Sequence, residues 1–594
     1  MTPPQKKVFA ALAAVIALSR LFAISKALFD WDEGLFTLAI RDYDVINHHP
    51  HPPGYPLFIA AAKLLHAIGI EEFRALQTIV VIGAMLLFPA LYLFARTIGF
   101  GFATAAGGAA LFCFLPNVWV YGGTGFSDIP ALTLTIFACA LLLGAPASPP
   151  AGQAASRRRS YLLGAILLGV AAGIRPPSLV IGLVPALLAT YRRLRARDFV
   201  AVVAAALLGA SIVAGSYLGA AYATGSVSGY LHAVKAQSDY VRDVDSWRNP
   251  GREPLHEVAE DFFLRPVQQQ LQMYGLVLLC LVSLVTAIAK RKRPPLVALA
   301  IFAPFAIMAW LNLDVQAAGR YSMPYLVAYA LLAADGLGVI ARHRVRVQAV
   351  LVAMVIGVFA IWTWPALQLQ RTSVPPPVAA LRWIKANVPP QTVAYLYAGL
   401  GPQVDYVLPE RKTFWERPEE ISTLAGDAWV VDVKEKPGAL NFTWPHTNPL
   451  WKILRRRNFE ASVSRVSSFV TFGPEWYSEE GDGLASYRWM PAVATALLPP
   501  LRGNGKLHVR MYVPIDTLPA PPEIEVSVNG KVVERFRGAE ATIEKTWSVP
   551  SRTDAPNELR ITTSGVVNPA KLGGSGDSRD LGLRIDALSW NPAP

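Results

Sequence analysis

The chain has 594 residues, of which 53% are hydrophobic and 16% charged, with a mean hydropathy of +0.35. Soluble proteins carry roughly a quarter charged residues, so the composition excludes a wholly soluble fold. The net charge of +13 lies largely in short Lys/Arg clusters between apolar runs, which reads as the charge of membrane topology and not as a nucleic-acid surface.

In chain order, the apolar run 8–28 follows Lys6-Lys7. It is long for a signal peptide and lacks a clear cleavage site, so it is expected to be an uncleaved first span. The next segment reads Phe29-Asp30-Trp31-Asp32-Glu33-Gly34 and then His48-His49-Pro50-His51-Pro52-Pro53-Gly54-Tyr55-Pro56-Leu57. Carboxylates at the end of a span sit where water thins, and desolvation moves them toward the pKa of a general base. Helix capping is the plain alternative for any one of them. Pro-Pro-Gly turns the chain, and 57–68 reads as an amphipathic helix on the membrane surface.

Runs 73–95, 102–121 and 129–143 follow, and Ser127-Asp128-Ile129-Pro130 opens the last of these as a helix cap. Arg175-Pro176-Pro177 breaks 161–191 into a hairpin of two short spans, 161–174 and 178–191. After the run 200–220, the segment 221–270 holds Tyr230, His232, Lys235, Gln237, Tyr240, Arg242 and Trp247, either as a lid or as a solvated loop. The runs 271–289, 296–311, 321–340 and 349–364 complete the series.

With about eleven crossings, the clusters at Lys6-Lys7, Arg157–Arg159, Arg192–Arg197, Lys290–Arg293 and Arg342–Arg346 all fall on one side, which is the cytoplasmic one. Arg175 and Arg320 then stand on the outer side, against that trend. An arginine at the membrane rim costs a few kcal/mol unless it meets an anion or snorkels to the headgroups. A lipid phosphate suits the guanidinium fork. The three cysteines, Cys113, Cys139 and Cys280, lie in apolar runs and form no disulfide framework or metal pattern.

An acidic pair after the first span, then His-Pro-Pro and an apolar helix, resembles the GT-C glycosyltransferases. The subgroup it looks most like is the bacterial relatives of protein O-mannosyltransferases and of lipid A aminoarabinose transferases. The resemblance covers residues 1–365 as an architecture, and Gly34 and Leu35 depart from the small-residue and aromatic pattern that often follows the pair. It implies that Asp32 is the catalytic base with Glu33 beside it. It also implies that Arg320 and Tyr321 of the Arg-Tyr-x-x-Pro motif, with Arg175, bind donor phosphate. Asp30, Asp128, His49 and His51 are then expected to support the acceptor or a metal.

The reaction implied moves a sugar from a polyprenyl-phosphate donor to an acceptor hydroxyl on a protein, lipid or polysaccharide. Attack opposite the departing phosphate inverts the anomeric centre, and because phosphate leaves without a proton no separate acid is needed. A divalent cation, Mg or Mn, is compatible with the sequence and not demanded by it. The expected location is the inner (cytoplasmic) membrane with the C-terminal domains periplasmic. The competing readings are a transporter or flippase of lipid-linked sugars and a membrane-anchored glycan-binding scaffold.

Past residue 365 the chain turns mixed and Pro-rich. A helix over 378–387 and strands over 392–396, 429–433 and 466–472 suggest a small α/β unit. Strands over 507–512, 523–528, 531–536, 544–548, 558–563 and 583–588, with Asn529-Gly530 as a hairpin signal, suggest a β-sandwich. The aromatics Trp476, Tyr477 and Trp489 are expected in its core or on a sugar-stacking face. The expected fold is therefore a mainly α-helical polytopic membrane domain of about eleven transmembrane helices over 1–366, an α/β domain over 372–474 and a sandwich over 475–594.

Overall fold

The computed structural model describes residues 1–593 apart from 145–153, 267–269, 391, 417–427, 455–457, 467–469, 482–485 and 573–575. The chain divides into two compact units, one comprising Met1–Pro375 with Trp444–Phe459 and the other Pro376–Thr443 with Glu460–Pro594.

The first unit is helical and belongs to a multi-pass membrane protein. Among the described residues, six helices are long and apolar enough to cross a bilayer; they include Glu72–Thr97, Phe199–Ala223, Arg293–Asn312, Met323–Ile340 and Val345–Thr372. Others are shorter than the apolar runs that carry them. The run 8–28 is helical only as Pro3–Arg20. Its continuation turns across the ends of other helices, with Ser25 N–H bonded to Gly123 O at 3.0 Å and Lys26 N–H to Gln370 O at 2.8 Å. Gly123 is required at this crossing, because a Cβ there would lie 1.9 Å from Ala23 O. The run 102–121 breaks into Phe102–Cys113 and Pro116–Tyr121, since Pro116 starts a new helix and cannot continue the old one. Arg20, wholly buried, donates to Cys113 O at 2.7 Å and so satisfies a carbonyl that this break leaves open.

The segment 29–72 holds the helices Trp31–Arg41 and Pro56–Ala67. Gly54 between them has φ +102°, and a Cβ there would sit 2.5 Å from the Tyr43 hydroxyl, so this position admits only glycine. Within 221–270 lie the helix Val227–Tyr240 and a π-helical turn, Val241–Asp245.

In the second unit, Val393–Tyr397 pairs in parallel with Phe414–Trp415 and Ala428–Asp432, and Glu460–Val466 pairs antiparallel with Ala428–Asp432 and Leu440–Thr443. Part of the strand expected over 466–472, residues 467–469, lies outside the described residues. Two further five-stranded sheets follow. One runs in the order Thr542–Pro550, Asn504–Tyr512, Leu583–Pro592, Ser486–Met490, Glu479–Gly481. The other runs Lys531–Arg537, Glu523–Val528, Asn557–Thr563, Val493–Leu498, Thr471–Phe472. Alternate residues of both sheets, among them Leu507, Ile585, Val526 and Ile561, enter one hydrophobic core. Asn529 (φ 52°) and Gly530 (φ 77°) form the tight turn that their dipeptide announces. Trp476 is buried in this core, whereas Trp489 is half-buried beside Tyr512.

Candidate active site

The acids Asp30, Asp32 and Glu33 occupy three different environments, and the helix Trp31–Arg41 explains why. Asp30 is its N-cap, accepting from the Asp32 N–H at 3.1 Å. Glu33 Oε2 reaches back to the backbone N–H groups of Phe29 and Asp30 at 2.7 and 3.1 Å, completing a capping box. Glu33 Oε1 accepts a third backbone N–H, that of Gly125, at 2.7 Å, and the side chain is 1% exposed. Glu33, the residue expected beside the base Asp32, ties this helix to the turn before Asp128. Burial raises its pKa to about 7, outweighing the three N–H donors that favour the carboxylate. The space beside it, about 10 Å³, has room for one water.

Asp32, one residue earlier, points the other way. Its Oδ2 accepts from Arg320 Nη1 at 2.8 Å, although 288 residues separate the two. Arg320 Nη2 donates to the Tyr321 hydroxyl at 2.8 Å, and the guanidinium lies 4.6 Å from the Phe126 ring centre. Burial opposes the charge on Arg320, but Tyr321 and then the neighbouring acids Asp32, Asp128 and Asp30 together raise its pKa. Its Nε is buried without a hydrogen-bond partner.

A second pair stands close by. Arg175 Nη2 meets Asp128 Oδ1 at 3.1 Å, Nη1 donates to Ser127 Oγ at 3.1 Å, and the guanidinium lies 5.9 Å from the Tyr55 ring centre. Each arginine is thus held by one aspartate, and the four charges sum to zero. Among the described residues, no group of three or more His, Cys, Asp or Glu is placed to hold a metal ion.

His51 bridges the first pair to the cavity. Its Nε2 is 2.8 Å from the Tyr55 hydroxyl and its Nδ1 is 3.9 Å from Asp32 Oδ1. Burial lowers its pKa to about 4, so the ring is neutral at physiological pH. His49 is not in this group: its ring faces Asp42, at 3.7 Å, and its backbone pairs with Asp44.

A cavity of about 320 Å³ opens here. Its polar lining includes His51, Tyr55, Asp128, Arg175 and Tyr321, and Gln237 and Asp245 reach it from the segment 221–270. The rest of the wall is mostly proline and aliphatic. Asp32 and Arg320 are not in the lining; they stand directly behind His51 and Tyr321, closed on each other. Sequence reasoning missed Tyr55 and Phe126. Tyr55 has φ +46°, a conformation rare for a tyrosine and concentrated at functional sites. Its place after Pro-Pro-Gly was the available signal.

No protein-family model matches the chain, and no curated protein does. Solved structures are similar to it. ArnT from Cupriavidus metallidurans bound to undecaprenyl phosphate is 15% identical, with a TM-score of 0.47 over 78% of this chain and 98% of that one. The Archaeoglobus fulgidus oligosaccharyltransferase, in complex with Zn and sulfate, is 14% identical, with a TM-score of 0.44 over 67% of this chain and 61% of that one. Arabinosyltransferase EmbB from Mycobacterium smegmatis is 9% identical, with a TM-score of 0.38 over 100% of this chain and 65% of that one. Two of the three, the oligosaccharyltransferase and the arabinosyltransferase, carry the names of glycosyl-transferring enzymes.

Proposed function

We propose that the chain is an inverting membrane glycosyltransferase that moves a sugar from a polyprenyl-phosphate donor to an acceptor hydroxyl on the extracytoplasmic face. The observation that carries this reading is the Asp32–Arg320 pair behind the wall of a cavity that also presents Arg175. A carboxylate suited to take a proton and two guanidiniums suited to hold a phosphate stand within one group.

In the reaction, the acceptor oxygen attacks the anomeric carbon, the bond from that carbon to the phosphate oxygen breaks, and the acceptor proton passes to Asp32. Polyprenyl phosphate leaves with its negative charge, which Arg320 and Arg175 stabilise, so no general acid is required. Tyr321 steadies Arg320, and Asp30 and Glu33 fix the helix end from which Asp32 projects. The aliphatic and proline wall suits the first isoprene units, and Gln237 and Asp245 suit sugar or acceptor hydroxyls.

The location that fits this reading is the inner membrane, with about eleven spans placing the Lys/Arg clusters in the cytoplasm and residues 372–474 and 475–594 in the periplasm, the latter as a β-sandwich. The test is mass spectrometry of envelope glycans and glycoproteins after deletion and after complementation. A sugar that disappears on deletion returns with the wild-type chain and not with Asp32→Asn. A glycan profile unchanged by deletion contradicts the proposal.

A further inference from the structure

Resting on the proposed donor site, we propose that Gln237 is a specificity-determining residue: its side-chain amide binds a neutral hydroxyl of the sugar that the lipid phosphate carries. The residue belongs to the segment 221–270, whose composition alone allows either a lid or a solvated loop. In the fold this segment supplies part of the wall of the cavity of about 320 Å³.

Three of its residues, Gln237, Val241 and Asp245, line that cavity. They are spaced by four along the helix Val227–Tyr240 and the π-helical turn Val241–Asp245 that continues it. In an unbroken α-helix, eight residues turn the chain about 80° past two full turns, which would carry residue 245 away from the face that holds 237. A π turn takes more residues per turn, and the Ser246 N–H bond to Val241 O at 2.8 Å closes this one. The wider turn cancels part of the drift and keeps all three side chains on the cavity side. Single π turns inside helices recur at functional sites for this reason.

The wall is anchored without help from Gln237. Trp247 N–H bonds to Leu311 O at 2.8 Å, and Arg252 donates to the carbonyls of Leu311, Trp310 and Leu313 at 2.6, 2.9 and 3.0 Å. A cation at this place satisfies open carbonyls at the C-terminal end of the helix Arg293–Asn312.

Gln237 differs from Arg175, Tyr321 and Tyr55 in the same cavity, each of which already has a partner. Arg175 is held by Asp128 and Ser127, the Tyr321 hydroxyl by Arg320, and the Tyr55 hydroxyl by His51. Among the described residues, none is hydrogen-bonded to the Gln237 side chain. An amide offers donors and an acceptor without charge, which matches a hydroxyl and adds little to the binding of a phosphate. A sugar bonded to a phosphate at Arg175 lies in this same cavity, and its hydroxyls need partners there because a polar group buried unpaired is costly.

The experiment is saturation binding to the full chain in nanodiscs, wild type and Gln237→Leu. The probes are undecaprenyl phosphate and undecaprenyl phosphate carrying glucose, galactose, mannose or arabinose. The wild type is expected to bind at least one sugar-bearing lipid more tightly than the bare lipid. Gln237→Leu keeps its melting temperature and its affinity for the bare lipid, and loses roughly 2- to 10-fold on that sugar-bearing lipid, the worth of one neutral hydrogen bond. Gln237→Met, which keeps the length of the side chain without the amide, is measured alongside and is expected to match Gln237→Leu. A ratio of sugar-bearing to bare affinity that is the same in wild type and variants for every lipid overturns the role of Gln237 and leaves the donor site standing. If none of the five lipids saturates the wild type, the donor-site reading falls and this role falls with it.

Discussion

Replacing Asp32 by Asn is expected to strengthen binding of lipid phosphate while it abolishes transfer. In the closed pair the two side chains are 20% and 7% exposed, so solvent screens their attraction only in part. Charge centres about 4 Å apart at an effective dielectric of about 20 attract by about 4 kcal/mol. A phosphate that engages Arg320 gives up most of that attraction and approaches the negative Asp32 as well. Arg320 keeps the Tyr321 hydroxyl and the Phe126 ring in either state, and water returning to the carboxylate offsets part of the loss. A net gain of about 1–3 kcal/mol for Asp32→Asn remains, which is roughly 5- to 150-fold tighter binding. Titration of undecaprenyl phosphate into the variant in nanodiscs reads this directly, and Arg320→Gln is expected to weaken binding in the same assay. Equal or weaker binding by Asp32→Asn refutes the idea that donor phosphate competes with Asp32 for the guanidinium.

Further outcomes follow from the geometry at Glu33, His51 and Gly54. Glu33→Gln places an amide N–H₂ against one of three backbone N–H donors and is expected to lower stability by about 1–3 kcal/mol, read as an earlier thermal unfolding transition. Because the folded-state pKa of Glu33 is raised to about 7, its favourable contribution is complete below about 4.5 and falls as pH rises toward 7; Glu33→Gln should remove that part of the pH dependence. His51 has the opposite sign: its pKa is lowered from 6.5 to about 4, so its contribution is complete above 6.5 and is lost as pH falls toward 4, and unfolding profiles of His51→Asn should be flatter across that range. Gly54→Ala forces a side chain into φ +102° and against the Tyr43 hydroxyl, so both thermal stability and lipid binding should drop relative to the wild type.

The parts of the fold that follow from periodicity and charge were legible in the sequence: the apolar runs, the amphipathic helix after Pro-Pro-Gly and the Asn529-Gly530 hairpin. Helix ends were less so, because Arg20 ends the first helix by bonding to Cys113 O, a partner 93 residues away that no local pattern reveals. The acidic cluster carries two readings at once for a local reason. Asp30-Trp31-Asp32-Glu33 carries a helix-start signature, an N-capping acid followed three residues later by Glu. Taken as that signature, it assigns Asp30 and Glu33 to the backbone and leaves Asp32 as the acid that faces outward. Arg175 and Arg320 stood out as cations apart from the Lys/Arg clusters, and each meets an aspartate in the fold. Which aspartate each would meet is set by helix packing across long separations and was not readable. His49 and His51 look alike in sequence, yet only His51 reaches the group at Asp32, because the turns around Pro50 and Gly54 send the two rings to different neighbours.

In the proposed reaction Asp32 activates an acceptor for attack on a lipid-phosphate sugar held by Arg320. The most direct test is lipid mass spectrometry of membranes from cells that express equal amounts of wild-type chain or Asp32→Asn. A polyprenyl-phosphate sugar that is consumed by the wild type and accumulates unreacted with the variant is the predicted result. Identical pools of lipid-linked sugar in the two membranes contradict it.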